Sequence, residues 1–77
     1  MAIAFILINS EIGREQQVIE QLQNLPNVIE AHVVYGVYDL IAKIEAESTE
    51  ELKRLVSENL RLLDNVRNTM TMVCVDK

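Results

Sequence analysis

Among the side chains of this 77-residue sequence that could do chemistry, the most informative group is Tyr35-Gly36-Val37-Tyr38-Asp39. That stretch joins two strand-like segments through a turn and sets a carboxylate beside it. Other candidates are isolated. His32 is the single histidine and Cys74 the single cysteine. No Ser/His/Asp or Cys/His set exists, so acid–base catalysis would fall to a lone imidazole. A lone thiol excludes an internal disulfide, and no pair of ligands has the spacing of a zinc site. Near the C-terminus, Thr69 and Thr71 alternate, which puts both hydroxyls on one side of an extended segment.

The elements that position these residues follow from the apolar periodicity. Ala2 to Ile8 is apolar without alternation, the pattern of a strand buried on both faces. Asn9-Ser10-Glu11-Ile12-Gly13 breaks it with turn formers. From Arg14 to Asn24 the apolar positions Val18, Ile19 and Leu22, continued by Leu25, have helical spacing, and Pro26 stops the helix. Val28–Tyr35 and Tyr38–Ala46 read as a hairpin closed by Gly36-Val37, a two-residue type II′ turn with glycine at its first central position. This register pairs Tyr35 with Tyr38, Val33 with Leu40, Ala31 with Ala42 and Ile29 with Ile44 on one apolar face. Val34–Asp39, His32–Ile41 and Glu30–Lys43 then pair on the other. A one-residue slip would mix the two faces, and the Glu30–Lys43 charge pair supports the register.

Ser48-Thr49-Glu50-Glu51 has the form of a capping box. The helix that it opens carries Leu52, Leu55, Val56, Leu60 and Leu63 on one stripe, and Asp64-Asn65 ends it. A last strand is expected from about Asn68 to Val75. Thr69, Thr71, Val73 and Val75 then point one way, and Met70, Met72 and Cys74 the other.

The order β-α-β-β-α-β with right-handed crossovers predicts an α+β fold, the ferredoxin-like plait. Its four-stranded antiparallel sheet has strands one and three in the centre and both helices on one face. Residues 1–77 form a single domain. A chain of this length hides only about 60% of its unfolded surface, so oligomerisation is expected to complete its stability. Two helices cover one face, yet strand one is apolar on both, and Val34 and Ile41 add to the far side. A second copy of the chain is expected to cover that face.

Seven basic against twelve acidic side chains leave a net charge of −5. Lys43, Lys53, Arg54, Arg61 and Arg67 lie scattered among carboxylates, which argues against direct phosphate and nucleic-acid binding. The N-terminal apolar run lacks the basic region and cleavage site of a signal peptide. It also falls short of the roughly 20 apolar residues that span a membrane. A soluble, cytoplasmic protein is expected.

Val28-x3-His32-Val33-Val34-Tyr35-Gly36-Val37-Tyr38-Asp39-Leu40, followed by Leu52, Leu60-x-x-Leu63 and Asn65-Val66-x-x-Thr69-x-Thr71, resembles the Lrp/AsnC transcriptional regulators. The likeness is to their C-terminal effector-binding domain, the RAM domain, in a stand-alone form without the helix-turn-helix. It covers nearly the whole chain. The resemblance implies dimers that pair sheet to sheet and assemble into octamers or similar rings. It also implies amino-acid effectors at subunit interfaces near the hairpin turn. Carried over residue by residue, it marks Tyr35, Gly36, Val37, Tyr38 and Asp39 as the effector loop, and Thr69 and Thr71 as polar contacts. Asp39 would pair with an ammonium group, while turn N–H groups and the two hydroxyls would hold a carboxylate. No cofactor and no metal is implied. The expected partners are the chain itself, an amino acid and full-length Lrp/AsnC-type regulators.

Two other readings share the plait. One is a small cofactor-free dimeric α+β barrel enzyme using His32. The other is an ACT-like amino-acid-binding regulatory domain, with Gly13 in the loop after the first strand.

Overall fold

The computed structural model describes residues 1–75. Its elements are β1 (Ala2–Ser10), α1 (Glu15–Gln23), β2 (Val28–Val33), β3 (Leu40–Ala46), α2 (Thr49–Glu58), a 3-10 turn at Leu60–Leu62, and β4 (Val66–Val73). The strands lie in the order β2-β3-β1-β4, and every neighbouring pair is antiparallel. The result is the ferredoxin-like β-α-β-β-α-β plait, with β1 and β3 central.

Alternation along the central strands divides the sheet. Ala4, Ile6 and Ile8 of β1 and Leu40, Ala42 and Ile44 of β3 form one fully buried face. Val18, Ile19 and Leu22 of α1 and Leu52, Val56 and Leu60 pack onto it in the same core. Burying each of the larger side chains contributes about 1.5–3 kcal/mol. On the opposite face Ile3, Phe5, Leu7 and Ile41 are only half buried, and Met70 and Met72 are each 47% exposed. Lys43 lies 6.0 Å from the centroid of the Phe5 ring.

The cap of α2 forms as its sequence dictates. Ser48 Oγ accepts from the Glu51 amide at 3.2 Å. The Glu51 carboxylate accepts from the Glu47 amide at 3.2 Å, one residue earlier than the reciprocal box requires. The helix itself stops at Glu58, and the Leu60 to Leu63 part of the stripe is carried by the 3-10 turn and the residue after it. Asn65 then adopts a left-handed conformation (φ 69°), and its carbonyl accepts from Glu11 N–H at 2.8 Å, tying this corner to the end of β1.

The hairpin register is the expected one over Glu30–Lys43, Ala31–Ala42, His32–Ile41 and Val33–Leu40. Val34 N–H donates to the Asp39 carbonyl at 2.8 Å. Two expectations fail around it. Ile44 faces Val28 and not Ile29, because a bulge lies between Val28 and Glu30. The tip is not a type II′ turn either. Gly36 is outside the left-handed region, the ladder ends at Val33 and Leu40, and Tyr35 and Tyr38 do not pair. The cause is competition from β1: Asp39 N–H donates to the Ile8 carbonyl at 2.9 Å, which draws that arm of the loop onto the central strand. Tyr38 follows it across the open face until its hydroxyl lies 3.9 Å from the Met70 sulfur, while Tyr35 stands fully in solvent.

β4 runs two residues earlier than the pattern suggests. Val66 opens it beside Ser10, and Val75 lies beyond its end, 90% exposed. Thr69, Thr71 and Val73 sit opposite Ile8, Ile6 and Ala4 and so share the helix side of the sheet. Met70 and Met72 sit opposite Leu7 and Phe5 on the open side.

Candidate functional site

Asp39 is the best-anchored member of its loop. Its carboxylate accepts from the Ser10 amide at 3.0 Å, in the place where a main-chain carbonyl would continue the β1–β3 ladder. Its own carbonyl is turned outward to Val34. The side chain opens onto a hollow of about 460 Å³ at the end of the sheet, with Asn9, Ser10, Ile12, Arg67, Asn68 and a second carboxylate, Glu15, around it. Asn9 Nδ2 donates to Asn68 Oδ1 at 3.0 Å and fixes one wall.

Arg67 and Asn68 also border a second hollow of about 250 Å³, shared with Thr69 and Arg61. Arg61 in turn borders a third, of about 290 Å³, between α2 and β4, where Thr71 lies with Lys53, Ser57 and Val73. Shared walls make one continuous band around the free edge of β4. Asp39 is at one end, Thr69 in the middle and Thr71 at the other.

The residues singled out from sequence therefore divide. Asp39, Thr69 and Thr71 line the band, but within one protomer they do not converge on a single pocket, because both threonines turn toward the helix layer. Tyr35, Gly36 and Val37 line none of these hollows, and Tyr38 reaches over the open face. Sequence reasoning missed Lys53, Arg61 and Arg67, which it placed among scattered surface charges. A partial signal existed: Lys53 and Ser57 lie at i and i+4 on one face of α2, and Arg61 joins them from the 3-10 turn beyond the helix.

His32 lies on edge strand β2 with its ring nitrogen 3.1 Å from Glu30, both side chains more than half exposed. Nothing encloses a substrate around it. Gly13 has φ 77°, and its loop borders the same hollow as Asp39 through Ile12. The site expected of an ACT-like domain and the end of the hairpin loop thus meet at one place. Among the described residues no three His, Cys, Asp or Glu side chains are placed to hold a metal ion.

The chain is thus a ferredoxin-like plait with a polar, cation-bordered sheet edge and an open apolar face. More specifically, the chain belongs to the Lrp/AsnC family: the family model of the Lrp/AsnC ligand binding domain matches residues 3–77. It is 40% identical over 76 residues to an HTH-type transcriptional regulator of Pyrococcus abyssi, an alignment covering 95% of this chain and 51% of the regulator. A hypothetical protein of Pyrococcus horikoshii superposes with a TM-score of 0.92 at 39% identity, over 100% of this chain and 93% of that one. A Neisseria meningitidis transcriptional regulator solved as a complex with L-methionine shares the fold, with a TM-score of 0.85 at 13% identity over 99% of this chain and 51% of that one. The chain spans about half the length of the curated regulators that it matches. No helix among the described residues is long and apolar enough to cross a membrane.

Proposed function

We propose that this chain is a cytoplasmic effector-binding and oligomerisation module that senses an amino acid and acts in transcriptional regulation of amino-acid metabolism. The observation that carries the reading is Asp39, a carboxylate pinned by Ser10 at the mouth of a polar hollow that continues along β4 past Thr69 to Thr71. An amino acid offers an ammonium group and a carboxylate, and this edge offers an acid at one end and guanidinium, amide and hydroxyl donors along the rest. The methionine complex of the Neisseria regulator is compatible with a ligand of this class.

Assembly is the second half of the proposal. The face carrying Phe5, Leu7, Ile41, Met70 and Met72 is apolar and uncovered by either helix, so a second copy placed sheet to sheet would remove it from water. Dimers then associate into octamers or similar rings, with the protruding Tyr35 and Val37 available for contacts between dimers. Full-length Lrp/AsnC-type regulators are the natural partners for mixed assemblies. Backbone hydrogen exchange tests the site. A bound amino acid should slow exchange in the Val34–Leu40 and Val66–Thr71 segments. Protection elsewhere, with none in these two, contradicts the assignment.

A further inference from the structure

The hollow onto which Asp39 opens is out of balance by one charge. Two carboxylates line it, Asp39 and Glu15, against a single guanidinium, that of Arg67. An amino acid with a neutral side chain uses Asp39 for its ammonium and Arg67 for its carboxylate, and Glu15 is left over. Glu15 is already partly buried. A ligand that covers it without pairing with it strips water from a charge, which is unfavourable. A side chain ending in a cation removes that cost, and one ending in a carboxylate adds to it.

The rest of the lining suits the same kind of side chain. Ile12 belongs to it and is 91% exposed, an apolar wall beside a carboxylate. Lysine, ornithine and arginine have the matching shape, an apolar stem with a charged end. At about 460 Å³ the hollow is within the range of small-molecule sites. All three charged groups border this one hollow, so a single amino acid can meet them together. The net charge of −5 also draws a cation toward the chain.

We propose that the effector is an amino acid with a cationic side chain: lysine, ornithine or arginine. Its α-ammonium meets the Asp39 oxygen that the Ser10 amide leaves free. Its α-carboxylate meets Arg67, its stem lies on Ile12, and its terminal cation pairs with Glu15. The inference rests on the effector-binding reading above and names the class of ligand that this hollow selects.

Titration calorimetry on the intact chain tests it, with the twenty amino acids, ornithine, norleucine and cadaverine as probes. Norleucine has the stem of lysine without its terminal ammonium. Lysine, ornithine or arginine should bind at least about tenfold more tightly than norleucine, the scale of one charge-assisted hydrogen bond. Glu15→Gln should bring the ratio close to one, with the fold checked by circular dichroism. Glu20→Gln removes the same charge farther along α1 and outside the hollow, and should keep the ratio of the parent chain. A preference that survives Glu15→Gln, or that Glu20→Gln lowers equally, overturns the role of Glu15. Cadaverine, which lacks the α-carboxylate, should bind more weakly than lysine; equal binding overturns the contact with Arg67. Selective binding of a neutral or acidic amino acid overturns the cationic preference and leaves the effector module standing. No heat from any of the twenty amino acids overturns both.

Discussion

The Asp39 carboxylate and the Ser10 amide are 3.0 Å apart, so a side chain takes over where the main-chain ladder of the central strands ends. Ser10 is only 4% exposed, and its amide has little access to water as a substitute partner. This contact joins the loop to the sheet and fixes the acid at the band's mouth.

Replacing Asp39 therefore separates two roles. Asp39→Ala strands a buried amide and should cost about 1–3 kcal/mol, measured by urea denaturation. Asp39→Asn keeps an acceptor for Ser10 and should cost less than half as much, yet it removes the charge that a ligand ammonium would meet. Equal losses from the two would show that the charge, and not the acceptor, holds the loop.

The two glycines should behave oppositely. Gly13 has a left-handed φ of 77°, so Gly13→Ala should destabilise by about 1–2 kcal/mol. Gly36 is not left-handed, and a Cβ built there meets nothing within 4 Å. Gly36→Ala should be neutral or stabilise by up to about 1 kcal/mol. Thermal melting of both variants checks the pair. A large loss at Gly36 would restore the tight turn.

In the core, Leu22 and Leu60 are fully buried. Truncating either to alanine should cost about 2–5 kcal/mol, a large part of the stability of any domain this small. The cap of α2 is worth less: Ser48→Ala should cost about 1 kcal/mol. Denaturant midpoints for these variants should fall in that order.

Assembly should fail before folding does when the open face is charged. Met72 is already 47% exposed, so Met72→Lys should fold. Light scattering should then report a species near 8.8 kDa, where the parent chain gives a multiple of it. An unchanged mass in the variant places the interface elsewhere.

Much of this architecture is legible in the sequence because it rests on local patterns. The helix stripes, the Ser48 cap, the left-handed Asn65 and the Glu30–Lys43 register each follow from a few neighbouring residues. What the sequence concealed depends on contacts between distant segments. Gly36-Val37 has the right residues for a tight turn, but Ile8 and Ser10 of β1 compete for Asp39 and open the loop. The bulge at Ile29 has no signal in the alternation of its neighbours. Lys53 and Arg61 meet Arg67 and Thr71 only once β4 has docked beside α2, so charges scattered along the chain become one edge.

The most direct measurement is a thermal-shift panel of the twenty amino acids at fixed protein concentration, on the parent chain and on Asp39→Asn. Ligand at 100 times its dissociation constant adds about 2.7 kcal/mol, a shift of roughly ten degrees or more for a domain this small. The account predicts a selective rise in the parent chain that Asp39→Asn abolishes. A panel with no shift, or a shift that Asp39→Asn leaves intact, contradicts it.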